Sequence, residues 1–243
     1  GRVAAGAIAE KFLKQLNISV TAYAKSIGPV EVSPERMDLS EIPNNQFCLP
    51  DADSAKEAEH YLDQKIAECD SVGGVVECVI SGLPAGLGEP VFEKLDANLA
   101  KAILSIGAVK GFEIGDGFAA TKACGSENND EFRMDGDKIV KETNHAGGVL
   151  GGISDGSAVI FRAAFKPTPS IAKSQETVTK DGENIDLVIH GRHNPVVVPR
   201  AVVVVESMAA ITAMDMLLMS MTSRLDLIQM FFQVENVDDS PEQ

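Results

Sequence analysis

The chemistry legible in this chain is concentrated between residues 144 and 200. Lys166 opens the run Lys166-Pro167-Thr168-Pro169-Ser170, in which two prolines remove ladder donors and hold φ near about −65°. A cation and two hydroxyls are thereby set at a fixed strand exit, a combination suited to an anion. Upstream, Gly147, Gly148, Gly151, Gly152 and Gly156 allow positive φ and close approach of backbone to a ligand. The same glycines also suit plain turns, because their spacing matches no phosphate-binding fingerprint. Residues 145 to 200 hold six Lys/Arg against five Asp/Glu, whereas the rest of the chain holds 15 against 31. A near-neutral stretch in so acidic a chain marks where a negative ligand is least opposed.

The elements that position these residues follow from pattern. Val159, Phe161, Ala163 and Phe165 alternate with Ala158, Ile160, Arg162 and Ala164, which predicts a strand buried on most of both faces. Residues 2 to 16 read as a helix with Ile8, Phe12 and Leu16 four apart and small alanines around them. A strand at 18 to 27 ends at Gly28-Pro29, and a proline-punctuated loop runs from Ser33 to Pro50. Asp51 or Asp53 caps a helix from 54 to 69 that turns Ala58, Tyr61, Leu62 and Ile66 inward. A strand at 72 to 81, a helix at 91 to 106 and a strand at 109 to 114 predict a crossover unit. Residues 115 to 143 form a long loop with an exposed turn at Asn128-Asn129-Asp130 and a short strand from Lys138 to Thr143. Residues 185 to 190 are strand-like. A helix from about Pro199 to Arg224, apolar nearly all round, belongs in the core or at an interface. The acidic tail from Gln233 is expected to fray.

Composition excludes several classes. A net charge of −15 leaves no basic patch for nucleic acid. The stretch 196 to 222 is broken by Arg200, Glu206 and Asp215, so no membrane span is expected. Cys48, Cys69, Cys78 and Cys124 show no Cys-x-x-Cys spacing and no metal-ligand interval with the four histidines, so they read as buried thiols of a reducing compartment. With 243 residues and 44% apolar composition, the chain can bury a substantial core, and it is read as a single domain over residues 1–243.

Four blocks carry a resemblance: GRVAAGAIA (1 to 9), AVKGFEIGDGF (108 to 118), NHAGGVLGGISDG with RAAFKPTPSI (144 to 171), and GRHNPVVVPRAVVVVESMAA (191 to 210). In content, order and spacing the chain resembles the chorismate synthase family. The resemblance implies an α/β (α+β) fold, a β-α-β sandwich in which buried helices lie between mainly antiparallel sheets. It implies a cytoplasmic homotetramer that eliminates phosphate from 5-enolpyruvylshikimate 3-phosphate, in an anti-1,4 sense, to give chorismate with reduced FMN. Flavin contacts would fall on Gly107, Ala108, Gly151, Lys166, Pro167, Thr168, Pro169, Ser170 and Arg192, and substrate contacts on Arg2 and Arg192.

The resemblance also implies that a longer N-terminal region, holding both family histidines that donate protons, precedes Gly1. The chain is thus expected to be an inactive fragment by itself, with His60, His145, His190 and His193 structural. One departure matters at the catalytic position. The family aspartate is Asn194 here and the cysteine that follows it is Val196; an amide keeps size and hydrogen bonding but accepts no proton near neutral pH. Turnover could then fall while flavin binding survives, so the alternative is a non-catalytic flavin-binding or oligomerisation module of the same fold.

Overall fold

The computed structural model describes residues 1–191 and 193–232. The chain opens with α1 (Arg2–Lys14) and β1 (Ser19–Ile27), which reverses at Gly28, at φ +55°, into β2 (Val30–Glu31). Two 3-10 turns, Pro34–Arg36 and Leu39–Asn44, carry the proline-rich segment to α2 (Ala52–Ala67). Its cap is Asp51, whose carboxylate accepts the Asp53 amide at 3.0 Å, one of the amides that a helix start leaves without a partner. Next come β3 (Gly74–Ser81), α3 (Leu95–Leu104) and β4 (Val109–Ile114). A 3-10 turn and the single-turn α4 (Gly125–Asn128) lead to two hairpins. These are β5 (Phe132–Asp135) with β6 (Lys138–Lys141), and β7 (Val149–Leu150) with β8 (Ile153–Ser154). Then β9 (Val159–Phe165) precedes a third hairpin, β10 (Gln175–Val178) with β11 (Asn184–Leu187). The last described elements are α5 (Val198–Ser220) and α6 (Leu225–Phe232).

The main sheet has the order β2-β1-β3-β9-β4, and every ladder in it is antiparallel. Because β9 lies between β3 and β4, those two strands run the same way, which is the crossover expected from their connecting helix. One sheet face, with Ala22, Ala24, Val76, Cys78, Val159, Phe161 and Ala163, forms a single buried cluster with residues of α1, α3 and α5. Strand alternation sends the neighbouring residues to the other face. There Tyr23, Glu77, Arg162 and Glu113 stand in one row across four strands. The Tyr23 hydroxyl donates to the Glu77 carboxylate, and Arg162 pairs with Glu113 at 3.1 Å. The mixture of helices with antiparallel sheet is the expected α+β class.

Several expectations are corrected. Ile8, Phe12 and Leu16 are exposed, at 69%, 38% and 48%, and α1 instead buries Gly6, Ala9 and Leu13. The reason is steric: a Cβ on Gly6 would fall 2.3 Å from Cβ of Ser207, so the small-residue face is the one that can seat against α5. Ile66 is likewise exposed on α2. The third helix starts at Leu95 and not at Val91, whose φ of +65° is incompatible with a right-handed helix. Only Cys78 is fully buried, with Cys48 intermediate and Cys69 and Cys124 exposed. The strand-like segment 185–190 is strand only as β11, Asn184–Leu187, paired in a hairpin with β10, and Arg162 with Ala164 leaves one face of β9 partly open. The last helix ends at Ser220 and a separate α6 follows. Among the described residues α5 is the one helix long and apolar enough to cross a membrane, and it packs on the sheet and on α1. The expected frayed tail, from Gln233, lies outside the described residues.

Candidate functional site

At one end of the main sheet three strand termini meet. There β3 begins at Gly74, β9 ends at Phe165 and β4 begins at Val109, with Gly74 and Val109 both opposite Phe165. The Lys166 amide donates to the Ala108 carbonyl at 3.0 Å, which joins the Lys166–Ser170 loop to the turn between α3 and β4. Ala108 has φ +72°, a left-handed conformation that reverses the chain in a single residue at the cost of some strain. At Gly107 no atom lies within 4 Å of where a Cβ would stand, so the backbone faces open space.

Arg2, at the start of α1, reaches the same end. Its Nη1 donates to Ser105 Oγ at 2.8 Å and its Nη2 to the Ser105 carbonyl at 3.0 Å. A guanidinium has five N–H donors, so this clamp fixes the group and leaves donors for a ligand. Lys166 is exposed beside this cluster, and Thr168 is half-buried.

The loop is also held from the far side. Ser71 Oγ donates to the Thr168 carbonyl at 2.7 Å, and Asp70 Oδ2 pairs with Lys173 Nζ at 3.2 Å. The Ser71 amide and then Lys173 hold the Asp70 carboxyl below its usual range. Val72 forms a parallel bridge with Val196, and its amide donates to the Pro195 carbonyl at 2.8 Å. Asn194 is half-buried immediately before that contact. A cleft of about 180 Å³ lies here, lined by Ile66, Cys69, Asp70, Ala172, His193 and Pro195. Ring nitrogen Nε2 of His193 sits 2.9 Å from the Ile189 carbonyl, a partner that accounts for this histidine structurally.

The structure thus brings together Arg2, Gly107, Ala108, the Lys166–Ser170 loop and the segment containing Asn194. Arg192 lies outside the described residues. Gly151 is elsewhere. It occupies the β7–β8 turn at φ +62°, and neighbouring Gly152 accepts the Leu95 amide at the N-terminal end of α3. The lengths of α3 and β9 put that end roughly 15 to 23 Å from the Lys166 cluster.

Near Gly151 the buried charges are paired, while Lys94, whose side chain lies against Gly152, has no carboxylate partner among the described residues. Lys141 Nζ lies 2.8 Å from Asp155 Oδ2 and 3.2 Å from Asp130 Oδ2, with both ion pairs almost wholly buried. Asp130 also accepts the amides of His145 and Ala146, so the expected exposed turn is tied inward. Burial raises the pKa of Asp130 and Asp155, but the hydrogen bonds and Lys141 outweigh it and hold both carboxyls low. His145 Nδ1 stands 2.7 Å from Asp116 Oδ2. Of the six cations in residues 145–200, Arg162 and Lys173 are committed to carboxylates, Lys180 and Arg200 are exposed on other segments, and Lys166 is the exposed cation at the strand exit itself among the described residues. Sequence reasoning missed Ser71, Asp70 and Ser105. The pair Gly73-Gly74 was the available signal, since a Cβ on Gly73 would sit 2.2 Å from the Phe165 carbonyl oxygen.

Comparison with known proteins gives the family of the chain. The family model described as chorismate synthase matches residues 1–218. A chorismate synthase of Lachnoclostridium phytofermentans is 58% identical over 234 residues, covering 96% of this chain and 64% of the relative. One of Agathobacter rectalis is 61% identical over 233 residues with the same coverage, and one of Gloeothece citriformis is 52% identical over 222 residues, covering 90% of this chain and 61% of the relative. A crystal structure of chorismate synthase superposes with a TM-score of 0.77 at 30% identity, over 96% of this chain and 67% of that one. The chain therefore spans 61 to 64% of the length of these curated relatives. By sequence over nearly its whole length, and by the fold that sequence adopts, this chain belongs to the chorismate synthase family.

Proposed function

We propose that the chain supplies the flavin-binding part of a chorismate synthase acting on 5-enolpyruvylshikimate 3-phosphate in the cytoplasm. The observation that carries this reading is the Lys166–Ala108 hydrogen bond, which unites two segments 58 positions apart in the sequence. The residues fit a reduced, anionic flavin. Lys166 offers an exposed positive charge, and the bare backbone at Gly107 leaves room for a planar ring. When bound, reduced FMN would supply electron density transiently to the allylic system from which phosphate leaves.

The chain's own residues bind and orient. The Lys166 ammonium balances negative charge on the flavin or its phosphate, and Thr168 and Ser170 offer hydroxyl donors. Arg2, clamped by Ser105, presents its remaining N–H groups to the acidic substrate, and a preorganised cation favours a departing phosphate. The family resemblance gives Arg192 contacts to both flavin and substrate. Asn194, an amide where the family has an aspartate, moves no proton near neutral pH. Gly151, roughly 15 to 23 Å from the Lys166 cluster, would meet a flavin held there from a second copy of the chain, in keeping with the homo-oligomer, a tetramer, that the family resemblance implies.

Titration with FMN, oxidised and then reduced by dithionite without air, tests the reading. Saturable binding is expected, with Lys166→Ala weakening it by about tenfold or more. Equal affinity of the two proteins would reject the site. Asn194 favours a second reading, a flavin-binding module without turnover. In a version extended to the length of its relatives, Asn194→Asp separates the two: activity appearing only in the variant supports the silent module, and an active parent rejects it.

A further inference from the structure

We propose that the segment Asp70–Gly74 is a brace that sets the distance between the two cofactor-binding segments, and that Ser71 is its positioning residue. The proposal rests on the flavin reading above. Three independent contacts radiate from five consecutive residues. The Ser71 hydroxyl holds the Lys166–Ser170 loop through the Thr168 carbonyl at 2.7 Å. The Val72 amide holds the Asn194 side of the site through the Pro195 carbonyl at 2.8 Å, continued by the Val72–Val196 bridge. Asp70, itself fixed by the Ser71 amide at 2.8 Å, pins Lys173 three residues beyond Ser170.

Close backbone packing makes the brace stiff. A Cβ on Gly73 would stand 2.2 Å from the Phe165 carbonyl oxygen and 3.1 Å from the Pro167 nitrogen, so this backbone lies directly against the strand exit that carries Lys166. The prolines on either side of Thr168 lack amide hydrogens. The loop is therefore poor in amide donors and rich in carbonyl acceptors, and Ser71 takes the Thr168 carbonyl at its middle. The two flavin-side segments are not bonded to each other among the described residues; each is bonded to the brace. Ser71 and Val72, neighbours in the chain, thus link the two segments directly.

The test compares the unmodified chain with Ser71→Ala, Ser71→Thr and Gly73→Ala. Amide hydrogen exchange over residues 166–173 and 193–196 is read without flavin, and FMN affinity and the visible flavin spectrum with it. Ser71→Ala is expected to speed exchange in the 166–173 segment. It should also weaken FMN by about three- to tenfold and shift the bound flavin's absorption bands, with Ser71→Thr restoring all three. Gly73→Ala should displace the same loop more strongly. Unchanged exchange in Ser71→Ala overturns the brace. Faster exchange with unaltered affinity and spectrum overturns the positioning role. If the unmodified chain binds no FMN, the flavin reading fails by itself, and the exchange comparison still decides whether the brace exists.

Discussion

Glu206 Oε2 on α5 accepts the backbone amide of Ala22 on β1 at 2.8 Å. The partner is needed because β2 covers only the last two residues of β1, leaving the amide edge of residues 19–24 open to other acceptors. The Ala24 amide, on the same edge, finds the Cys48 carbonyl at 2.9 Å. Burial pushes the Glu206 carboxyl up; the Ala22 amide opposes that, and Glu10 adds to it.

A raised acid binds more protons in the folded than in the unfolded state. Its contribution is complete below the unfolded pKa of about 4.3 and is lost as pH rises through the folded value. Glu206→Gln keeps an acceptor for Ala22 and removes the charge. The urea midpoint of the variant should exceed the parent's at pH 8 and converge with it towards pH 4. A variant less stable than the parent at pH 8 would contradict this.

Lys141→Met should be among the more damaging substitutions. It leaves Asp130 and Asp155 buried without their cation, a change that costs about 3–5 kcal/mol. Both carboxyls are depressed in the folded state, so their contribution is present above about pH 3.9 and lost as pH falls further. Denaturant unfolding at pH 7 and pH 3 should show a large gap between variant and parent that narrows in acid. A constant gap would mean that packing, and not charge, is what Lys141 provides.

Much of this architecture was legible in the sequence for a physical reason. The Asp51 cap, the turn at Gly28-Pro29 and the alternation through Phe165 are local signals, set by residues a few positions apart. What stayed hidden depends on distant partners. Ile8, Phe12 and Leu16 have helical spacing and are exposed, because Gly6 and Ser207, two hundred positions apart, decide which face of α1 can approach α5. At the site, Lys166 could be placed from its prolines. Ser71 and Ser105 are ordinary serines until the fold brings Thr168 and Arg2 to them.

Gly6→Ala tests that close approach. The added methyl meets Ser207 at less than contact distance, so about 1–3 kcal/mol of stability should be lost to displacement of α1 from α5. Gly6→Ala combined with Ser207→Gly should recover most of the loss in thermal unfolding. No recovery would place the damage in some other contact.

On α6, Leu225, Met230, Phe231 and Phe232 are all about 70% exposed. An apolar cluster of that kind drives association in water. Light scattering should show apparent mass rising with concentration, and Phe231→Glu with Phe232→Glu should suppress the rise. A monodisperse monomer in the parent would show that α6 is not adhesive.

The sheet order β2-β1-β3-β9-β4 also governs when the chain can fold. The edge strand β4 has no neighbour in this sheet until β9, made some fifty residues later, slots in beside β3, and α1 waits for α5 across most of the sequence. Synthesis from the ribosome therefore exposes β1, β3 and β4 as incomplete sheet for much of translation. Their unpaired edges and the Val76–Ile80 run are surfaces for chaperones or for aggregation during that interval. Folding should be slow and late, commencing in earnest only once the residues of α5 have been added.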